Sequence, residues 1–209
     1  MKRVLVVDDH AIVRSGIRRL LGALPDLELE ETATGEEALE RLGAGPFDLI
    51  ILDLNLPGLG GLELLRRLLK VRQKVVVLVF SLHTEAIYAN RAMEAGARGF
   101  VSKNATPEEL LAAVQTVLAG GTAIERDIAS EIAAQDIGEN AYLRPLTQRD
   151  LEILRLLAAG NSLTQIGDAL GIAYKTVANT LSRIKEKLGV SHTADLIRIA
   201  IGRGLADLR

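Results

Sequence analysis

The stretch "RVLVVDDHAIVR", residues 3–14, joins a short apolar run directly to two adjacent carboxylates, Asp8 and Asp9. The run Val4, Leu5, Val6, Val7, rich in β-branched side chains, reads as a strand buried on both faces. Carboxylates at its end fall where an open parallel sheet places its ligands, beyond the carboxyl ends of the strands. Taken alone, they fit equally a solvated loop or a cap for a helix starting near His10. What the rest of the chain brings to the same edge decides between these readings.

Outward from this stretch, strand and helix patterns alternate for about 120 residues. Apolar runs recur at 4–7, 27–33, 47–52, 75–80 and 98–101, separated by amphipathic stretches at 11–22, 35–42, 62–70, 85–95 and 107–119. Five short strands alternating with five helices predict βαβ units in an α/β domain: a doubly wound, parallel five-stranded sheet of flavodoxin-like order, with helices on both faces. From about residue 120 the pattern changes. "GGTAIERDIASEIAAQDIGENAYLRP", residues 120–145, carries glycines, a short helical pattern and Pro145, and reads as a linker. Beyond it no strand pattern occurs, and four short helices are predicted at 147–158, 162–169, 174–187 and 192–201.

Composition bounds the function. At 209 residues, with 48% apolar and 25% charged side chains, the chain can bury a sizeable core. There is no cysteine, which excludes disulfides, thiol catalysis and thiolate metal sites. No apolar run approaches the ~18 residues a membrane span needs, and the start lacks a signal pattern, so a soluble cytoplasmic protein with no membrane partner is expected. The net charge of -2 hides a segregation: residues 1–125 carry -3, residues 126–139 another -3, and residues 140–209 carry +4. A basic tail on an acidic body points to a polyanion partner for the tail alone.

The acids can now be placed together. Asp53 ends the third strand in "DLIILDLNLPG", Ser81 ends the fourth in "VVVLVFSLH", and Lys103 stands just past the fifth in "GFVSKNA". With Asp8 and Asp9, all of them converge on one edge of a parallel sheet. Three clustered carboxylates repel one another unless a cation compensates, and an all-oxygen cluster suits Mg²⁺. Pro57, Gly58, Gly60 and Gly61 turn the chain tightly beside the cluster. His10, His83 and His192 are scattered in sequence, and none is assigned to a metal.

This constellation resembles the receiver domain of response regulators. The acidic pair, the "D-x-N-x-P-G" after the third strand, the serine and the lysine occur in the family's order across residues 1–122. The resemblance implies that a sensor histidine kinase phosphorylates Asp53. It implies too that Asp8, Asp9, Asp53 and the backbone carbonyl of Asn55 hold Mg²⁺. Ser81 and Lys103 would bind phosphoryl oxygens, and Ser81 with Phe100 would form the conformational switch. A proline commonly follows the lysine in the family; here it is Asn104.

The tail carries a second pattern. In the third predicted helix of this part, Val177, Leu181, Ile184 and Leu188 mark an inner face, leaving Lys175, Asn179, Ser182, Arg183 and Lys185 outward, with Thr176 beside them. Gly171 makes the turn before it, giving a helix-turn-helix whose second helix presents donors and positive charge. Its "LTQR", "AAGNS", "TV" and "IKEKLGV" are similar to LuxR/NarL-type DNA-binding domains. That resemblance implies double-stranded DNA as partner and a homodimer when phosphorylated, with 192–201 as the dimer helix. Ala178 and Thr180 replace the family's usual Lys and His, Ala173 its usual Ser cap, and Gly167 its usual Ala.

The expected organisation is a receiver at 1–122, a linker with a short helix at 123–142, and a helix-turn-helix domain at 143–209. The expected function is that of a phosphorylation-controlled DNA-binding transcription regulator, catalysing nothing beyond its own phosphoryl transfer and hydrolysis. An aspartyl-phosphate hydrolase uses similar groups but needs D-x-D at its first strand's end, which Asp8-Asp9 does not supply. A phosphorylation-independent interaction regulator that has lost DNA binding is the alternative that Ala178 and Thr180 keep open.

Overall fold

The computed structural model describes residues 1–22, 24–134, 143, 146–203 and 205. They fall into two compact units, Met1–Ser130 and Glu131–Arg209. The first alternates β1 (Lys2–Val7), α1 (Ala11–Leu21), β2 (Leu27–Thr32), α2 (Gly35–Ala44), β3 (Leu49–Leu52), α3 (Gly61–Val71), β4 (Val76–Ser81), α4 (Ala86–Glu94), β5 (Gly99–Ser102), α5 (Pro107–Leu118), β6 (Ala123–Ile124) and α6 (Arg126–Ala134), whose last turns pass the unit boundary.

All strand pairs are parallel, in the order β2-β1-β3-β4-β5-β6. The chain winds outward from β1 in both directions, so the order reverses between β1 and β3, opening a crevice at their carboxyl ends. The central strands carry apolar side chains on both faces. Val4, Val6, Leu49, Ile51, Leu78 and Phe80 pack with Ile17 and Leu21 of α1 and Leu110, Val114 and Val117 of α5. Leu5, Val7, Ile50, Leu52, Val77 and Val79, equally buried, alternate to the face covered by α2, α3 and α4. Each such side chain contributes about 1.5–3 kcal/mol of burial, which fixes the strand ends that carry the acids.

The sheet has six strands, not the five expected. β6 is two residues long, and two residues have no period to read. It lies beside β5 with Gly99 opposite Ala123 and Phe100 opposite Ile124. Residues 123–134 of the expected linker therefore belong to β6, α6 and the residue between them, and residues 135–142 lie outside the described residues.

Gly61 shows why the loop after β3 needs a glycine. A side-chain carbon there would meet the Leu54 backbone and lie 2.7 Å from the Asp53 carbonyl oxygen. Any other residue would push α3 away from the strand end that bears Asp53.

The second unit is helical: α7 (Gln148–Ala158), α8 (Leu163–Leu170), α9 (Tyr174–Leu188) and α10 (Thr193–Gly202). Capping boxes start α7 (Thr147 with Asp150) and α8 (Ser162 with Gln165), but Ala173 makes no side-chain cap for α9. Leu151, Leu154, Ile166, Val177, Leu181, Ile184, Leu188 and Leu196 are among its buried side chains. Gly167, which stands where the family usually has Ala, sits where a side-chain carbon would come within 2.7 Å of the Ile172 carbonyl oxygen.

Candidate functional site

β1 and β3 are neighbours, so the residues that follow them meet. Asp8 and Asp53 are 2% and 1% exposed, while Asp9 lies at the surface. Backbone hydrogen bonds fix both buried acids: Asp8 N donates to Thr32 O at 3.1 Å and Asp53 N to Val7 O at 2.9 Å. Each carboxylate then receives a local N–H, Asp8 Oδ1 from His10 at 2.8 Å and Asp53 Oδ1 from Asn55 at 3.0 Å.

Lys103 joins them from the turn just past β5. Its Nζ lies 2.7 Å from Asp8 Oδ2 and 2.6 Å from Asp53 Oδ2, with its own side chain almost buried. Its backbone N–H donates to Ser81 O at 2.8 Å, locking the ends of β4 and β5 together. Burial pushes the Asp53 carboxyl above the usual range, and Asp8 adds to this, while the Asn55 N–H and the ammonium pull the other way. Burial works to lower Lys103, but its bonds to Asp53 and Asp8 outweigh it, and the ammonium is held above its ordinary value. The result is a desolvated carboxylate paired with one buried cation.

Ser81 is fully buried, and its Oγ accepts the His83 N–H at 3.2 Å. Phe100 is fully buried in β5. His83, also buried, stacks on Tyr88 of α4 with centroids 4.0 Å apart. No peptide bond is cis among the described residues, including the one before Asn104.

Two participants were missed in the sequence. His10 stands in the acidic cluster, with Nδ1 2.7 Å from Asp9 Oδ1, because the turn after β1 folds it back. Arg14 donates to the Asp8 carbonyl oxygen at 2.7 Å from the first turn of α1. Potential ligand atoms of Asp8, Asp9, His10 and Asp53 lie within 4.8 Å of one another. Three carboxylates form a donor set fit for a hard divalent cation. The buried Asn55 Oδ1 has no hydrogen-bond partner among the described residues and adds an unspent acceptor beside them.

In the second unit, Lys175, Thr176, Asn179, Ser182 and Arg183 of α9 are exposed and Lys185 is half-buried. Thr180 is 6% exposed and belongs to the packed side of the helix, so its departure from the family's His concerns the interior. Arg183 and Lys187 turn toward α7, lying 3.2 Å from Asp150 Oδ1 and 2.6 Å from Oδ2. Burial works to raise Asp150, but Lys187 and the Thr147 cap outweigh it and hold its carboxyl below the usual range.

The family of response regulator receiver domains matches residues 4–115, and that of bacterial regulatory proteins of the luxR family matches residues 144–200. This chain belongs to the LuxR family of response regulators. The response regulator is 43% identical to the transcriptional activator protein ExaE of Pseudomonas putida, over 97% of each chain. It is 40% identical to the transcriptional regulatory protein UhpA of Escherichia coli, over 95% of this chain and 97% of that one. A crystal structure of a LuxR-family two-component response regulator from Aurantimonas matches with TM-score 0.61 and 40% identity, covering 63% of this chain and 95% of that one. The family consists of transcription regulators of two-component systems. No helix among the described residues is long and apolar enough to cross a membrane.

Proposed function

We propose that this response regulator works in the cytoplasm, accepts a phosphoryl group from a sensor histidine kinase on Asp53, and thereby controls DNA binding by its helical unit. The observation that carries this reading is the convergence of Asp8, Asp53 and Lys103 within 2.7 Å contacts at the sheet's switch point. An Asp53 oxygen attacks phosphorus, the bond to the kinase's imidazole nitrogen breaks, and an acyl phosphate forms. Asp8, Asp9, Asp53 and the Asn55 backbone carbonyl are the residues to hold Mg²⁺, which when bound offsets charge on the incoming phosphoryl group. Lys103 Nζ follows that new charge as a point cation. Ser81, whose Oγ accepts the His83 N–H and keeps its own hydrogen to donate, gives its hydroxyl to another phosphoryl oxygen, and Phe100 repacks with it.

On the second unit, Lys175, Thr176, Asn179, Ser182, Arg183 and Lys185 are the proposed DNA contacts, from α9 in the major groove of a duplex bound by a homodimer. The similarity to a transcriptional activator, ExaE, supports this half of the reading.

The test is labelling with a small phosphodonor and Mg²⁺. The chain should take up one acid-stable, base-labile phosphoryl group, Asp53→Asn should take up none, and Asp9→Asn should need more metal. Equal labelling of Asp53→Asn and parent would remove Asp53 from its role.

A further inference from the structure

β6 ends at Ile124, and the next residue extends the ladder with its side chain. Glu125 N donates to Phe100 O at 3.3 Å, and Glu125 Oε2 accepts the N–H of Ser102 at 3.0 Å. The Glu125 carbonyl then accepts from Ala129 N at 2.9 Å, which places Glu125 at the cap of α6. A polar residue there ordinarily turns onto the first free N–H groups of its own helix. This one reaches back to the sheet instead. The bond is charge-assisted, and therefore stronger than the backbone bond it replaces.

Its place matters more than its strength. Ser102 is one peptide from Lys103. The Ser102 hydroxyl accepts from Asn104 N at 3.0 Å and its carbonyl from Ala105 N at 3.1 Å, so the N–H held by Glu125 belongs to the tight turn that carries Lys103. Glu125 also begins the chain that leaves the first unit through α6.

We propose that Glu125 is a positioning residue, a latch that holds the exit of the first unit onto β5 until Asp53 is phosphorylated. This rests on the phosphoacceptor reading above. A phosphoryl group on Asp53 Oδ2 takes the space that Lys103 Nζ holds, 2.6 Å from that oxygen. Lys103 Nζ gives up that place to meet the phosphoryl oxygens farther out, the turn at 102–105 shifts with it, and the Ser102 N–H swings off the Glu125 carboxylate. The chain leading to the DNA-binding unit is then released at its root.

The test uses the full chain, with beryllofluoride and Mg²⁺ as a stable phosphoryl analogue, and compares the parent with Glu125→Ala and Glu125→Gln. In the parent, beryllofluoride should speed hydrogen exchange of the Ser102 amide about tenfold, the scale of one hydrogen bond to a charged group. Glu125→Ala should exchange fast with or without it, and Glu125→Gln, which keeps an acceptor oxygen, should restore most of the protection. Affinity for a duplex selected from a random pool separates a latch from a local prop. The unloaded Glu125→Ala chain should bind about tenfold tighter than the unloaded parent, so that beryllofluoride changes its affinity little. Uptake of beryllofluoride with an unmoved Ser102 amide, or a Glu125→Ala chain with the parent's full response, overturns the latch alone. A parent whose fluorine NMR spectrum shows no uptake overturns the phosphoacceptor reading and the latch together.

Discussion

Asp53 is held in an environment that disfavours its charge, and that has a thermodynamic sign. Burial raises its carboxyl pKa in the folded chain above the unfolded value. Between the two values the folded state binds more protons, so stability falls as pH rises through that window, and the loss persists at neutral pH. Asp53→Asn is therefore expected to melt at a higher temperature than the parent in a chelator. The gap between them should widen as pH rises from below the ordinary aspartate range to 7. Lys103 keeps Asp8 as a partner in that variant, so the cation is not stranded. Magnesium at roughly tenfold over its Kd should add about 1.4 kcal/mol to the parent and much less to Asp53→Asn. Thermal melts across pH, with and without the metal, check both; a less stable Asp53→Asn would mean that the pairing with Lys103 outweighs the burial. The convergence of Asp8, Asp53 and Lys103 was readable because each stands just past the end of a strand, and a parallel sheet leaves strand ends nowhere to go but one edge. His10 was not readable, since its approach to Asp9 depends on the turn after β1.

Among elements, what the sequence hid is what spans long separations. Strands and helices with a clear period were visible to within a residue or two, including α9 through its Val177, Leu181, Ile184, Leu188 face. β6 was not, being two residues long. Nor was the clasp between α7 and α9, because Asp150 reads as a capping-box residue while its partners stand 33 and 37 positions away. The clasp makes two cations of α9 structural in part. Asp150 is fully buried and serves both the Thr147 cap and Lys187, so Asp150→Ala should destabilise the helical unit by about 3 kcal/mol, a cap plus a charged hydrogen bond. Arg183 is 57% exposed and its bond is longer, and Arg183→Ala should cost under about 1 kcal/mol. The Asp150 carboxyl is held below its unfolded value, so its stabilisation is full above the ordinary aspartate range and is lost as pH falls through the depressed folded value. Urea titration of the three chains at pH 7 and at pH 3 reads both effects; equal costs for the two variants would refute the ranking.

At the scale of the whole molecule, charge is segregated along the chain: the first 125 residues carry -3 and residues 140–209 carry +4. Phosphorylation on the proposed acceptor, Asp53, would add roughly two negative charges to the already acidic unit, with Lys103 and Ser81 as the groups proposed to meet them. The phosphorylated chain is expected to sediment as a dimer where the unphosphorylated chain does not, and identical masses over the working concentrations would exclude dimer control. For DNA, the useful distinction lies between cations that touch phosphates and amides that read bases. Arg183 and Lys187 are drawn to Asp150 and Thr180 is packed inside, which leaves Lys175 and Lys185 as the cations of α9 outside that clasp and Asn179 as an exposed amide. Lys185→Ala removes one cation from the phosphate field, so it should weaken every sequence alike and flatten the logarithmic salt dependence by about one unit. Asn179 can bond an adenine edge twice, and Asn179→Ala should cost ~1–3 kcal/mol of preference at one base pair with the salt slope unchanged. Anisotropy titrations on a selected duplex and a scrambled one, at several salt concentrations, separate the two signatures. A salt slope that shifts for Asn179→Ala but not for Lys185→Ala would reverse the assignment. A full-length chain that binds neither duplex even at low salt would leave the positive charge of the tail to a protein partner instead.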